Sequence, residues 1–193
     1  MSLEKASSTD IVAAGQSAGR GFGEAIKGGG VFEVKCYDKD GNLKWEASKH
    51  NLVVNVGLQD MNTKYFTGSS YTAAWYLGLY GSGSTNNPAA SDTMSSHAGW
   101  TEVTAYSQAT RPACSFGTAT TADPSVITNS GSPATYSING TTVVGGAFLT
   151  SNNTKGGTTG VLFSAADFQS PGDRSVVSGD TITVTYTFSL DAV

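Results

Sequence analysis

The segment Gly179-Asp-Thr-Ile-Thr-Val-Thr-Tyr-Thr-Phe-Ser189 indicates the fold class most clearly. Every second residue from Ile182 to Phe188 is apolar, and the residues between them are threonines. Strict alternation with a period of two places the two kinds of side chain on opposite faces of a β-strand. Threonine is also a residue type that strands favour. The segment therefore predicts a strand with one face in the core and the other face in solvent.

The same period occurs nearer the beginning of the chain. The runs Val31-Phe-Glu-Val-Lys-Cys-Tyr37 and Leu43-Lys-Trp-Glu-Ala47 flank Asp38-Lys-Asp-Gly-Asn42, and an Asp-Gly turn between two such runs predicts a β-hairpin. The apolar run Ala73-Ala-Trp-Tyr-Leu-Gly-Leu-Tyr80 predicts a central strand that is buried on both faces. Further strands are predicted for residues 51–55, 100–103, 114–117, 134–138, 142–149 and 161–164.

Residues 56–66 interrupt this period. Leu58, Met61, Tyr65 and Phe66 lie near positions i, i+3, i+7 and i+8, which predicts one short helix. Eight or nine short strands separated by turns are typical of a sandwich. We therefore expect residues 31–193 to form an all-β domain, an antiparallel β-sandwich or jelly roll with one short helix.

The composition agrees with a turn-rich β protein. Glycine, serine and threonine contribute 24 residues each to a chain of 193, and charged residues make up only 13%. Helical bundles and coiled coils need many more charged and helix-forming residues, so this composition excludes them. A hydrophobic share of 38% with 10% aromatic residues is enough to build a core, which argues against a disordered chain.

The charged residues are distributed unevenly. Residues 1–64 carry 16 of the 26 charged side chains, whereas residues 65–166 carry only five. Soluble monomers usually cover themselves with lysine and glutamate, so the surface of this part must consist of serine, threonine, asparagine and glycine. Such a surface is typical of a protein that packs among neighbours in an assembly. The five charged residues are Asp92, Glu102, Arg111, Asp123 and Lys155.

Residues 1–30 are predicted to form a flexible or extended N-terminal arm. Glycines at positions 15, 19, 21 and 23 interrupt any helix, and Gly28-Gly29-Gly30 predicts a hinge before the first strand. An ordered arm needs a surface to lie against, and this surface usually belongs to another subunit. The residues expected at such a subunit interface are Ile11, Val12, Arg20, Phe22 and Ile26.

Charge and hydropathy exclude several classes of partner. A net charge of −4 and a pI near 5.0 provide no basic surface for nucleic acid. No apolar run approaches the ~18 residues that cross a bilayer, and no secretory signal is visible at Met1-Ser-Leu-Glu. Cys36 and Cys114 are too few for a disulfide scaffold, so two buried thiols in a protein folded in a reducing cytosol are favoured over a disulfide.

Candidates for catalysis are few. The segment Asp92-Thr-Met-Ser-Ser96-His97 contains the residue types of a nucleophilic triad, but a working triad converges from separate elements. We therefore interpret Asp92 as a turn cap and His97 as a packing partner of Trp100. A hydrolase using Ser96, His97 and Asp92 is the least favoured function. We predict no enzyme activity, no catalytic residue and no cofactor.

No metal site is predicted either. Asp38-Lys-Asp-Gly-Asn42 resembles a calcium loop, but its glycine is the fourth residue and its twelfth position is Lys49, so a hairpin turn is favoured. No histidine or cysteine pair has the spacing of zinc ligands.

Aromatic residues and polar loops leave a binding role open. Most of the aromatic residues lie within apolar runs, so we expect a core role for them rather than a carbohydrate groove or a subunit interface. Sugar binding is more plausible at the loop tips 68–71 and 152–157. The aromatic residues in question are Trp45, Trp75, Trp100, Tyr76, Tyr80 and Tyr106.

Five stretches of the chain, which together span roughly residues 50–189, form a recognisable overall pattern. They are Asn51-Leu-Val-Val-Asn-Val-Gly-Leu58, Thr72-Ala-Ala-Trp-Tyr-Leu-Gly-Leu79, Ala90-Ser-Asp-Thr-Met-Ser-Ser-His-Ala-Gly-Trp-Thr-Glu102, Thr154-Lys-Gly-Gly-Thr-Thr-Gly160 and Gly172-Asp-Arg-Ser-Val-Val-Ser-Gly-Asp-Thr181. This pattern, rather than any site motif, resembles a group of tailed-bacteriophage virion proteins, the capsid decoration or cementing proteins of short-tailed phages.

This resemblance implies a jelly-roll fold and a structural role. The expected function is to decorate and stabilise a phage capsid by bridging neighbouring major capsid subunits, at the capsid surface of a virion assembled in the host cytoplasm. The expected partners are the major capsid protein and a second copy of this chain, with a homodimer favoured over a trimer. The alternative is a tail, collar or head-fibre component that binds carbohydrate.

Overall fold

The computed structural model describes residues 26–68, 71, 73–81, 88–168 and 172–192. Within these ranges the chain forms twelve strands and one helix, α1 (Asn55–Phe66). The strands are β1 (Ile26–Tyr37), β2 (Leu43–His50), β3 (Leu52–Val53), β4 (Tyr76–Gly81), β5 (Thr101–Glu102), β6 (Ser125–Thr128), β7 (Ala134–Ser137), β8 (Thr142–Val144), β9 (Gly146–Thr150), β10 (Leu162–Asp167), β11 (Arg174–Val176) and β12 (Thr181–Ala192).

Two five-stranded antiparallel sheets form the body, which confirms the predicted all-β sandwich. The first sheet has the order β2-β1-β12-β6, with β7 also paired to β12, and the second has the order β3-β10-β9-β4-β5. Strands β8 and β11 form a separate two-stranded sheet. The jelly-roll strand order stays a prediction.

The longest pairing joins the first and last strands. All twelve residues of β1 pair with β12, from Ile26 opposite Ala192 to Tyr37 opposite Thr181. The predicted alternation of β12 is confirmed, because Ile182, Val184 and Tyr186 are buried while the threonines between them are partly exposed. The hairpin is confirmed too, with Gly41 in its turn at φ 84°.

The predicted hinge at Gly28-Gly29-Gly30 is wrong, because these residues belong to β1. They pair with Leu190, Ser189 and Phe188 of β12. Because Gly30 has no side chain, the Tyr186 side chain of β12 can occupy that position. A Cβ on Gly30 would lie 2.7 Å from the Tyr186 hydroxyl. Gly28 and Gly30 therefore admit side chains of β12, and β1 includes residues 26–30, which the sequence assigned to the arm.

The core lies between the two sheets, with a second apolar cluster on the outer face of the β4 sheet. The outer cluster contains Tyr80, Met94, Trp100 and Phe148, with residues 88–100 covering the sheet. Strand β4 is consequently buried on both faces, as predicted. The inner core is centred on Phe32, Val34, Leu77, Leu79, Tyr136, Leu149, Ile182 and Val184.

Several shorter elements differ from prediction. The strand expected at 51–55 shortens to Leu52–Val53, since α1 begins at Asn55. Residues 114–117 are not a strand, and the run 142–149 divides into β8 and β9 around Gly145. Strands β6 and β11 were not predicted, because four and three residues are too few to display a period.

Both cysteines are buried and free, as expected. Burial raises the pKa of the Cys36 thiol to about 11 and that of the Cys114 thiol to about 12. A thiol that stays protonated is a poor nucleophile, so both cysteines act as core residues.

Candidate interaction surface

Only one of the five predicted arm residues lies within the described chain. Ile26 is the first residue of β1 and is 77% exposed, while Ile11, Val12, Arg20 and Phe22 lie outside the described residues. Strand alternation places Ile26 on the same face of β1 as Phe32 and Val34 of the core. The core-facing side of this sheet therefore continues, exposed, to the start of β1.

The start of β1 extends beyond its neighbour β2. Pairing between the two strands begins at Val31, so residues 26–29 pair with β12 alone among the described strands. Phe188 and Leu190 lie on the core-facing side of this extension and are half-exposed. A Cβ on Gly28 would lie 3.3 Å from each of these two side chains, so they lean over the glycine. The extension thus presents a smooth apolar surface.

Next to this extension the two sheets leave an open cavity of about 290 Å³, which we call the end groove. None of the described residues that line it is charged. The Tyr186 hydroxyl, at its floor, is already engaged, since it accepts hydrogen bonds from Asn51 Nδ2 at 2.7 Å and Ser164 Oγ at 3.2 Å. The end groove is therefore suited to apolar groups. It is lined by Met61, Ala73, Trp75, Phe116, Ile127, Leu149, Phe163, Tyr186 and Phe188.

Helix α1 is confirmed at Asn55–Phe66. The residue buried against β10 is Gly57, where an added Cβ would collide with the backbone of Phe163. This close contact turns the apolar residues outward: Tyr65 is 80% exposed, Phe66 is 76% exposed and Leu58 is 43% exposed. The helix therefore adds an exposed aromatic end, in which the Tyr65 and Phe66 rings meet edge-on at 4.9 Å.

A second depression of about 260 Å³ connects this aromatic end to the end groove, since Met61 and Trp75 line both. Its other lining residues are Asp60, Lys64, Tyr65 and Tyr71. The Lys64 ammonium lies 5.1 Å from the centre of the Tyr71 ring. Burial raises the pKa of the Tyr71 hydroxyl above its ordinary value of 10.0, so the hydroxyl stays protonated into the alkaline range. We call the end groove, this depression and the exposed Tyr65 and Phe66 the apolar end.

The segment 92–97 has the local roles predicted for it. Asp92 accepts hydrogen bonds from the Ala89 N–H at 3.0 Å and from Trp100 Nε1 at 3.3 Å, so it caps a turn. His97 stacks on Trp100 with 3.6 Å between ring centres, and its Nδ1 lies 3.1 Å from the Trp100 carbonyl oxygen. Asp92 therefore stabilises a turn, and His97 packs against Trp100. The absence of enzyme activity stays a prediction.

The turn at 38–42 also serves as a hairpin turn. Asp38 accepts hydrogen bonds from the Asp40 and Asn42 N–H groups at 2.9 and 2.8 Å, and those from Asn42 above all lower the pKa of its carboxyl. Among the described residues, no three His, Cys, Asp or Glu side chains lie close enough to hold a metal ion. No helix in the described ranges is long and apolar enough to span a membrane.

The named aromatic residues divide between the core and its edge. Trp100, Tyr80 and Tyr106 are buried, as expected for core residues. Trp45 and Trp75 are partly buried against the core, and Trp75 alone of the six lines the apolar end. Trp100, buried to 3% exposure, is not available to a sugar.

Sequence reasoning missed a buried ion pair. Arg111 donates from Nε and Nη2 to the two carboxylate oxygens of Glu102 at 2.9 and 2.7 Å. It also donates to the carbonyl oxygens of Asn152 at 2.9 Å and Gly157 at 2.7 Å. The pair thereby fastens the loop 152–157, in which Asn153, Thr154 and Gly156 are exposed, as expected for a loop tip. The presence of two opposite charges in a charge-poor region was the available clue.

Comparisons with protein-family models, with curated proteins and with solved structures give no match.

Proposed function

We propose that this chain is a structural virion protein of a tailed bacteriophage, which decorates the capsid and cements neighbouring major capsid subunits. The observation that carries this proposal is the apolar end, where the exposed Tyr65 and Phe66 rings on α1 and a groove lined by uncharged described residues meet across the depression that holds Asp60 and Lys64. A contiguous exposed apolar surface marks an interaction site on a soluble protein. The small number of charges across residues 65–166 supports packing among neighbours.

The body fits a cementing role because it is held rigidly. The β4 sheet is covered on both faces, and the Arg111–Glu102 pair fixes a loop on its outer side. A rigid body loses little conformational freedom when it binds, so more of the contact energy remains for attachment. An interface of about 1,600 Å² for each copy, repeated over a shell, adds up to a large resistance to internal pressure.

The proposal extends to partners and location. The major capsid protein is the partner, and the protein lies on the outer capsid surface after assembly in the host cytoplasm. A homodimer on a two-fold axis suits this role, because a two-fold contact uses the same surface of both copies. In this arrangement the apolar end faces another subunit and not solvent.

Replacement of the exposed aromatic pair tests the proposal. The double variant Tyr65→Ser/Phe66→Ser should keep the stability of the wild type, because both rings are mostly exposed. Its affinity for capsids stripped of the protein should fall at least about tenfold in a co-sedimentation assay. The control Leu43→Ser/Val177→Ser removes exposed apolar residues at the opposite end of β1 and β12. Wild-type binding by the Tyr65/Phe66 variant would contradict the proposal.

The alternative is a carbohydrate-binding tail, collar or head-fibre component. The depression that carries Asp60, Tyr71 and Trp75 favours it, since aromatic faces beside a carboxylate suit a sugar ring. The copy number in purified particles separates the two functions, because a cementing protein is present in hundreds of copies and a fibre in a few to dozens. Glycan binding that disappears in Tyr71→Ala and Trp75→Ala would favour the alternative.

A further inference from the structure

We infer that the end groove is the docking site for the N-terminal segment of a second copy of this chain, with Ile11 and Val12 as its apolar anchors. The inference concerns self-association and does not depend on the capsid proposal. It proposes which segment fills the end groove, whose apolar lining is continuous with the core.

The direction of β1 argues for a second copy over the same molecule. Along β12, Tyr186 lies at the groove floor, Phe188 at its wall, and Leu190 and Ala192 further outward. Ile26 pairs with Ala192, so β1 begins beyond the groove and runs back toward the core. A segment that continues β1 in the N-terminal direction leaves the molecule, and it would need a reversal to enter its own groove.

The chemistry of the segment matches that of the groove. Residues 11–19, Ile-Val-Ala-Ala-Gly-Gln-Ser-Ala-Gly, form an uncharged stretch, and the described residues of the groove lining are also uncharged. A charged segment would lose its hydration there without gaining a partner. At a maximum of about 3.3 Å per residue, the seven residues from 19 to 25 can span roughly 23 Å, so the uncharged stretch can reach well away from the start of β1.

Two-fold symmetry completes the arrangement. If each copy places its segment in the groove of the other, both grooves are filled and no apolar opening remains.

Disulfide trapping tests the inference with the full-length chain. Val12→Cys and Ala73→Cys are made in separate proteins, mixed in equal amounts and oxidised. Ala73 lies at the groove and is exposed, so its replacement does not disturb the core. The native cysteines are buried and remain unreactive. We expect a disulfide-linked dimer between the two variants on a non-reducing gel.

The control pairs Val12→Cys with Thr135→Cys, which is exposed on β7 and lies outside the groove. It should give no linked dimer above background. The double variant Val12→Cys/Ala73→Cys tests the competing occupant, which is the N-terminal segment of the same molecule. Failure of the mixed pair to link, or an intrachain disulfide in a monomeric double variant, would overturn the inference.

Sedimentation provides a second readout without cysteines. Val12→Asp places a charge on the proposed anchor and should raise the dimer dissociation constant at least about tenfold. The matched change Ser8→Asp, outside the uncharged stretch, should leave the constant unchanged. Equal constants for Val12→Asp and the wild type, or a wild type that stays monomeric, would also overturn the inference.

Discussion

Arg111 is a fully buried charged residue whose guanidinium is surrounded by oxygen atoms. Its partner Glu102 has a side chain that is 9% exposed, and Glu102 also accepts a hydrogen bond from the Gly156 N–H at 2.9 Å. Removal of one member of a buried pair leaves the other charge without compensation. The planar fork of arginine reaches the carboxylate and two carbonyl groups together, which the single ammonium of a lysine does not.

We therefore expect both Arg111→Ala and Arg111→Lys to destabilise the protein. The loss for Arg111→Ala should be about 3–5 kcal/mol in urea denaturation, and Arg111→Lys should recover only part of it. Lys35 provides the control, because its ammonium lies 3.9 Å from Glu46 on an exposed surface. Lys35→Ala should change the free energy of unfolding by less than about 1 kcal/mol. A similar small change for Arg111→Ala would show that the buried pair does not fasten the loop.

Two glycines in the β4 sheet are covered by aromatic rings from the strands opposite. Gly78 pairs with Phe148 and Gly146 pairs with Tyr80, and a Cβ on either glycine would collide with the partner ring. Aromatic residues that cover a glycine across a strand pair stabilise the sheet and fix its register.

Gly146→Ala should therefore destabilise the protein by about 1–3 kcal/mol, because the Tyr80 ring has no space to move within the outer cluster. The control Gly131→Ala lies in open space and should change the stability by less than ~0.5 kcal/mol. Thermal melts of both variants provide the measurement. Equal melting temperatures for the two would refute the role given to the Tyr80 ring.

At the scale of elements, α1 shows that a period in the sequence does not determine which face is buried. Its apolar residues predict a helix correctly, yet the buried contact is made through Gly57. A glycine lets the helix approach the β10 backbone closely, and of the apolar residues on the helix Met61 packs against the core while Tyr65 and Phe66 stay exposed. No pattern in the sequence indicates which face of α1 packs against the sheet, because that face depends on the position of β10.

This arrangement reverses the usual effect of a helical glycine. Intrinsic propensity alone predicts that Gly57→Ala stabilises the helix by about 1 kcal/mol. We expect destabilisation by about 1–3 kcal/mol instead, since the new methyl group meets the Phe163 carbonyl. Asn62→Ala, on the exposed side of α1, should stabilise the protein by ~0.5 kcal/mol or less. Chemical denaturation of the two variants decides the sign, and stabilisation by Gly57→Ala would contradict the packing described.

The elements that could be predicted are those with many residues in one pattern. Strand β12 and the β1–β2 hairpin are long enough to display their period and their turn, so the sandwich was predictable. Strands β6 and β11 contain four and three residues, too few to display a period, and each forms by pairing with another strand. The apolar end was likewise hidden, because Trp75, Phe163 and Phe188 each lie in runs that read as core.

The whole molecule has a distinctive set of buried ionisable groups. The hydroxyls of Tyr80, Tyr106, Tyr136 and Tyr186 are buried, and burial is the main cause that raises the pKa of each. The Cys36 and Cys114 thiols are shifted in the same direction, to about 11 and about 12. In the unfolded chain these groups ionise near their ordinary values of 9.0 for the thiols and 10.0 for the tyrosines.

These shifts predict alkaline instability, and the sign follows from proton binding. Above the ordinary pKa values the unfolded state releases protons that the native state retains, so the free energy of unfolding falls as pH rises above about 9. Each such group contributes a slope of about 1.4 kcal/mol per pH unit between its unfolded and folded pKa.

The Tyr80 hydroxyl has no hydrogen-bond partner among the described residues, so Tyr80→Phe removes one of these groups without loss of a bond. Urea denaturation at a series of pH values should show similar stability for the variant and the wild type near neutrality, but a slope above pH 10 that is shallower by about 1.4 kcal/mol per pH unit. If stability fell equally steeply with pH in the variant and the wild type above pH 10, Tyr80 would ionise as readily in the folded protein as in the unfolded chain. Such a result would contradict the burial of Tyr80 in the outer cluster on the β4 sheet.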